Sequence, residues 1–345
     1  MTASLHIADR RKRRAALGVL LWFACTQSAL AADCVSDGRY VMGTVLEITL
    51  CADQITSAQQ PLDSLFATAT LLDSLLTTYD PNSPVSRLNA HAGRGSFTVP
   101  QKVVDLLLLS RQYSQLTQGT FDITVGPLMA LWRETAQRQV LPSQKALQQA
   151  RATIGSNHIH LSLNHTVALS RPGMAIDFGG IGKGYALDQL VAQLKQQHIR
   201  HVLLDFGQSS LWAVGTPPNA VGWRILVQQP DGHPVGVITL HDQALSISAS
   251  MGQSFEIKGQ RYGHIIDPRT GSPLQRDLLA CVIAPTAAQA EALSKALLIL
   301  GEREGIALLQ RLPGVEGMLM ETNRGQWVTP NWQQAVTFSS YEPTL

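Results

Sequence analysis

Four short stretches of this chain hold residue types that chemistry needs. Residues 177–184 read Asp-Phe-Gly-Gly-Ile-Gly-Lys-Gly and open onto a pattern in which Leu187, Leu190, Val191 and Leu194 recur at helical spacing. Glycines let a backbone approach a ligand closely, and a helix N-terminus presents free N–H groups to an anion. Lys183 adds a point charge. Gly184 stands where a Walker loop carries the Ser or Thr that holds magnesium, and the spacing does not fit the dinucleotide fingerprint. Taken alone, the stretch reads equally as a phosphate site and as a plain helix start. Residues 262–271 (YGHIIDPRTG) place His264 just before Asp267 and Arg269, in turn chemistry. A lone histidine is more often structural, but an acid and a base within five residues favour a site. Residues 119–127 (GTFDITVGP) also read as the start of a strand and a tight turn. Glu291 and Lys295 are four apart on a helical pattern, which on a surface gives an ion pair of about 0.3–0.5 kcal/mol.

These stretches need elements to hold them. Residues 40–50 are β-branched and aromatic-rich and predict a strand. Residues 61–78 begin with Pro61 and carry Leu62, Leu65, Phe66, Ala69, Leu72, Leu75 and Leu76 as one helical stripe. A second helix is expected over 101–117 and a hairpin over 158–170. Strands are expected at 201–206, 223–228, 235–240 and 280–284, and helices at 286–300 and 302–311. Strands in antiparallel-looking clusters with interspersed helices predict an α+β fold. The sequence has no repeats and no clear internal domain break.

The composition is that of a globular protein: 345 residues, 45% hydrophobic and 15% charged. It excludes a disordered chain, a collagen and a coiled coil. Residues 1–31 contain a basic run (RRKRR, 10–14), an apolar run from Ala15 to Ala24 and Ala29-Leu30-Ala31. This is the pattern of a cleaved secretory signal peptide, and the apolar run is shorter than the ~20 residues of a membrane span. The expected mature domain is therefore 32–345, periplasmic, with any association with the inner membrane left open. The net charge is +2, but five of the bases and one acid lie in 1–31, so the remainder carries −2. Nothing in that balance attracts nucleic acid. The remainder keeps Cys34, Cys51 and Cys281. Cys34 and Cys51 flank one strand-like stretch and could pair in an oxidising compartment, or all three could be unrelated thiols.

Taken in order, YVMGT (40–44), Tyr79, Ser86–Asn89 (SRLN), FDITVGPL (121–128), DFGGIGKGYALD (177–188), HIIDPRTG (264–271) and AEALSKAL (290–297) resemble the ApbE family of FAD:protein FMN transferases. The resemblance covers about residues 38–335. It implies an ApbE-like, T-fold-like architecture. It also implies a reaction: FAD is cleaved at its pyrophosphate, AMP leaves, and FMN is joined by a phosphoester to a Thr or Ser of a membrane electron-transfer subunit facing the export side. Met42, Tyr79, Thr120, Phe121, Asp122, Asp177, Lys183, His264 and Ile265 fall where the family contacts FAD. His264 falls on its candidate catalytic histidine, and Lys183 is the second candidate catalytic group. The family holds magnesium through a glycine-loop carbonyl, here Gly180, with an Asp and a Thr that are here Glu291 and Lys295. A protonated Lys cannot ligate a cation, so a magnesium requirement is doubtful. Two further polar clusters of the family are here Gly207-Gln208-Ser209 and Ile247-Ser248-Ala249-Ser250. The alternative expectation is an FAD-binding periplasmic maturation factor that no longer transfers flavin.

Overall fold

The computed structural model describes residues 33–52, 59–229, 231–322, 324–335 and 339–340. The signal-peptide expectation for residues 1–31 lies outside the described residues. In chain order the elements are β1 (Asp33–Val41), β2 (Thr44–Ala52), α1 (Gln59–Leu76), α2 (Pro84–Ala90), β3 (Ser96–Thr98) and α3 (Gln101–Leu116). Then come α4 (Gly126–Arg138), α5 (Gln144–Ala152), β4 (Ile159–Ser162), β5 (Thr166–Leu169), α6 (Gly182–Gln196), β6 (Val202–Phe206) and β7 (Ser210–Val214). They are followed by β8 (Trp223–Gln228), β9 (Pro234–Leu240), β10 (Gln243–Ala249), β11 (Ser254–Ile257), β12 (Gln260–Gly263) and β13 (Leu278–Ala284). The chain closes with α7 (Ala287–Leu309), β14 (Glu316–Glu321), β15 (Gly325–Val328), α8 (Trp332–Ala335) and β16 (Ser339–Ser340).

The expected α+β class is found. Eight strands form one antiparallel sheet in the order β1-β2-β6-β7-β10-β13-β14-β15. Strand β13 is buried on both faces, and its period of two divides the core. Leu278, Ala280, Val282 and Ala284 pack with α7, whereas Leu279, Cys281 and Ile283 pack with β8, β9 and Trp332. Helices α1 and α6 cover the β1–β2–β6 part of the first face through Leu62, Leu65, Phe66, Leu187, Leu190 and Leu194. A fourth cluster joins α4 to β11 and β12 through Leu128, Trp132, Ile257, Tyr262 and Ile266.

Two expectations need correction. Residues 40–50 do not form one strand: the chain turns at Met42-Gly43, both at positive φ (52° and 78°), and β1 pairs with β2. That is the backbone of a two-residue hairpin turn, which needs φ > 0 at both positions. Residues 119–127 hold no strand either; they form a single 3₁₀ turn (Ile123–Val125) that runs into α4. The expected break between two late helices is present. Gly301 has φ 74° and ψ −166°, open only to glycine, and it divides α7. The hairpin register sets Cys34 opposite Cys51, and the two form a disulfide. Among the described residues Cys281 is the free thiol, and it is buried. No helix of the described residues is long and apolar enough to cross a membrane.

Candidate active site

The glycine turn sits between two cavities. One, of about 210 Å³, is lined by Thr120, Phe121, Asp122, Asp177, Gly179, Gly180, His264, Ile265 and Lys295, with Met129 and Ile299 adding apolar wall. The other, of about 320 Å³, is lined by Met42, Asp73, Tyr79, Asp177, Gly179, Gly182 and Lys183, again with Met129. Asp177, Gly179 and Met129 line both cavities. Every residue expected to contact FAD thus lines one cavity or the other, although the sequence spreads them from Met42 to Ile265.

The turn is held by the backbone and by its own aspartate. The Asp177 N–H donates to Ile123 O at 2.8 Å, and the Gly179 N–H donates to Asp177 Oδ1 at 2.7 Å. The chain then enters α6 through Ile181, with no side-chain cap at that position. Gly184 lies where α6 meets the start of α7. A Cβ there would stand 2.4 Å from the Ala287 carbonyl oxygen, a backbone atom that cannot swing away. Asp188, one turn further along α6, caps α7 by accepting from the N–H groups of Ala287 and Ala288 at 2.8 and 3.0 Å. Burial raises its carboxyl to about 6, against those two bonds and one from Trp212, with the Glu291 charge adding to the rise. The first turn of α6 is therefore fixed against α7 from both sides.

Individual roles differ from a simple contact list. Thr120 is 1% exposed, and its hydroxyl donates to Thr117 O at 2.9 Å. Asp122 accepts from Thr124 N–H (2.8 Å), Thr124 Oγ1 (2.6 Å) and Ser156 N–H (3.0 Å), so its carboxylate is spent on shaping the loop. Phe121 packs against Gly180. Tyr79 stands 87% exposed at the rim of the larger cavity, an aromatic face free to cover a ring. The Met42 N–H donates to Asp73 Oδ2 at 2.9 Å, which ties the hairpin turn to α1. Asp73 and Met129 were not anticipated. Asp73 lies within the helix expected over 61–78 but outside its apolar stripe, and Met129 lies on α4, where no helix was expected.

His264 follows β12, and its Nδ1 donates to the Gln253 carbonyl oxygen at 3.0 Å. That bond leaves Nε2 as the lone-pair nitrogen. Partial burial holds the imidazole below its usual pKa; the Gln253 bond opposes this, and the Lys295 cation adds to it. Asp267 and Arg269 do not assist. They pair with each other at 2.9 Å inside the turn. Lys183 Nζ donates to Ser209 Oγ at 2.6 Å.

The residues expected around a metal do not come together as ligands. Gly180 lines the smaller cavity, whereas Glu291 is fully buried and lines neither. Its Oε2 accepts from Gly184 N–H at 2.9 Å and its Oε1 accepts from the Ser210 hydroxyl. Around it stand hydroxyls: Ser294 bonds Ser246 and Ser248 at 3.0 and 2.9 Å. Lys295, one turn on, brings an ammonium to the cavity. Burial lowers it to about 8, against the opposing pull of Glu291 and with Lys183 adding to the fall. Among the described residues no group of three or more His, Cys, Asp or Glu side chains could hold a metal ion. A donor-only cation beside a carboxylate whose two oxygens are already used does not fit a magnesium site.

What known proteins share this arrangement? The FAD:protein FMN transferase of Escherichia coli K12 is 30% identical over 276 residues, which covers 76% of this chain and 77% of the relative. The FAD:protein FMN transferase of Salmonella typhimurium is 27% identical over 319 residues, 89% of this chain and 91% of the relative. Among solved structures, the flavin transferase ApbE from Vibrio cholerae superposes with a TM-score of 0.78 at 25% identity, covering 88% of this chain and 99% of that one. The apo flavinyl transferase ApbE of Pseudomonas stutzeri gives 0.77 at 27% identity, covering 88% and 97%. The ApbE family pattern matches residues 42–319, from the hairpin turn that carries Met42 to β14, and the chain therefore belongs to the ApbE family.

Proposed function

We propose that this protein is an FAD:protein FMN transferase that acts outside the cytoplasm. The observation that carries this reading is the pair of cavities meeting at the Asp177–Gly184 turn, with His264 in one and Lys183 in the other. FAD has two ring systems joined by a diphosphate. The cavities take the rings against Met42, Tyr79, Phe121 and Ile265, and the turn takes the diphosphate beside Lys183. Phosphoryl transfer is mostly positioning and charge neutralisation. The hydroxyl of an acceptor Thr or Ser attacks the FMN phosphorus, and its proton passes to His264 Nε2. The P–O bond to the AMP phosphate breaks, and AMP leaves. A phosphoester of FMN on the acceptor results, so the acceptor gains FMN and the chain is unchanged.

The Cys34–Cys51 disulfide supports a periplasmic setting, because such bonds persist in oxidising compartments. The leader-like residues 1–31 support the same setting, and an acceptor subunit of a membrane electron-transfer complex fits it. The cation at 295 favours one competing reading, a maturation factor that holds FAD and does not transfer it. The test is intact-mass measurement of a co-expressed acceptor with the wild-type chain and with His264→Asn. Transfer predicts one added FMN per acceptor with wild type and none with the variant, while both proteins retain FAD. Retained FAD with an unmodified acceptor in every case would replace the proposal with the binding-only reading.

A further inference from the structure

We propose that Lys295 is a resident cation that replaces a divalent metal, so that this chain takes up the diphosphate of its nucleotide without magnesium. The inference rests on the flavin-nucleotide reading of the site and names how that site meets the charge of its ligand.

Three observations carry it. First, Lys295 lines the same cavity as Gly180 and His264, and among the described residues its ammonium has no hydrogen bond or ion pair. A half-buried ammonium with no partner faces a cost of desolvation that an anionic ligand would relieve. Second, the nearby carboxylate is withdrawn from the cavity. Glu291 is fully buried and engaged by Gly184 and Ser210, so it fixes the base of the glycine turn rather than binding an ion. Third, Lys183 lines the adjoining cavity across Gly179. The two lysines supply two positive charges on either side of the turn, and a nucleotide diphosphate carries two negative ones. Asp177 and Asp122 also face the cavity, but Asp177 is tied to the Gly179 N–H of its own turn and Asp122 to the N–H groups of Thr124 and of the distant Ser156. Ser246 and Ser248 both bond the hydroxyl of Ser294, the residue before Lys295, and these neutral hydroxyls add no negative charge to attract a metal.

The experiment titrates the mature chain, stripped of flavin, with FAD, ADP and riboflavin, in EDTA and then in magnesium, following flavin fluorescence or heat. FAD and ADP are expected to bind in EDTA within about twofold of their affinity in magnesium. Lys295→Met is expected to weaken FAD and ADP at least roughly tenfold, as loss of a charge-assisted contact does, and to leave riboflavin little changed. Lys295→Arg should restore most of the loss. Binding of FAD that disappears in EDTA overturns the proposal and leaves the transferase reading intact. So does a Lys295→Met chain whose FAD affinity is unchanged. Metal-free FAD binding with an acceptor that is never modified leaves the proposal standing and removes the transferase reading. The EDTA comparison uses the unmodified chain, so the proposal stays testable if a variant fails to fold.

Discussion

Glu291→Ala separates a structural carboxylate from a metal ligand. In the structure Glu291 has no exposed surface and receives two donors, the Gly184 N–H and the Ser210 hydroxyl. Removing it leaves a buried backbone N–H with no acceptor, which costs about 1–3 kcal/mol. The serine hydroxyl can turn elsewhere, so its share is smaller, and the vacated space adds a cavity term. A total of about 2–4 kcal/mol follows from these principles. For a domain of this general size each kcal/mol moves Tm by about 2–4 °C, so Tm should fall by roughly 4–16 °C in a melt run in EDTA. Glu291→Gln should lose much less, because its carbonyl can still accept from Gly184 and its amide can donate to Ser210. The opposite outcome is also well defined. If Glu291 served only to bind a cation, its removal from a metal-free chain would relieve a buried charge. A Tm in EDTA that is unchanged or higher for Glu291→Ala would refute the role assigned here.

Other outcomes follow from the same geometry. Gly184→Ala would place a methyl 2.4 Å from the Ala287 carbonyl oxygen and should destabilise by about 1–3 kcal/mol, read as a lower denaturant midpoint. Cys34 and Cys51 are 17 residues apart, and the loop-closure entropy of a crosslink of that length is about 3 kcal/mol; Cys34→Ser, or reduction, should lower Tm with no loss of FAD binding. Lys295 is held near 8 by burial, with Glu291 opposing and Lys183 and His264 as its other charged or titratable neighbours. FAD affinity in EDTA should therefore fall as pH rises through about 8, and Lys295→Arg should move that fall to higher pH. The unfolded chain binds more protons at this site between about 8 and 10.5, so the same group makes the apo protein more stable as pH rises across that window. Lys295→Met should accordingly raise the Tm of the apo protein at pH 7 while weakening FAD, a trade of binding against stability.

Much of the site was legible because its residues lie in short contiguous stretches. The glycine turn, His264 and the apolar stripe of α6 are all local patterns, and local patterns survive folding. The hairpin at Met42-Gly43 was missed because methionine is not a residue that announces φ > 0; tertiary contact with Asp73 holds it there. Asp267 and Arg269 looked like partners for His264, but two residues of separation in a tight turn let them pair with each other. Asp122 was expected at the FAD site and does line the cavity, but its added role as a loop clamp depends on Ser156, 34 residues away. The position of Glu291 could be read from the helix, but its role could not, since its partners lie 107 and 81 residues back along the chain. Lys295 was visible only as a departure from a pattern. That it faces a cavity with no partner is a fact of packing.

The central claim is tested most directly by mixing the purified protein with FAD and a Thr-bearing acceptor in EDTA, then measuring acceptor mass and free AMP together. The account predicts one FMN added per acceptor and one AMP released for each, with the proportion unchanged when magnesium is supplied. FAD that stays whole and bound, with acceptor mass unaltered under both conditions, would contradict it.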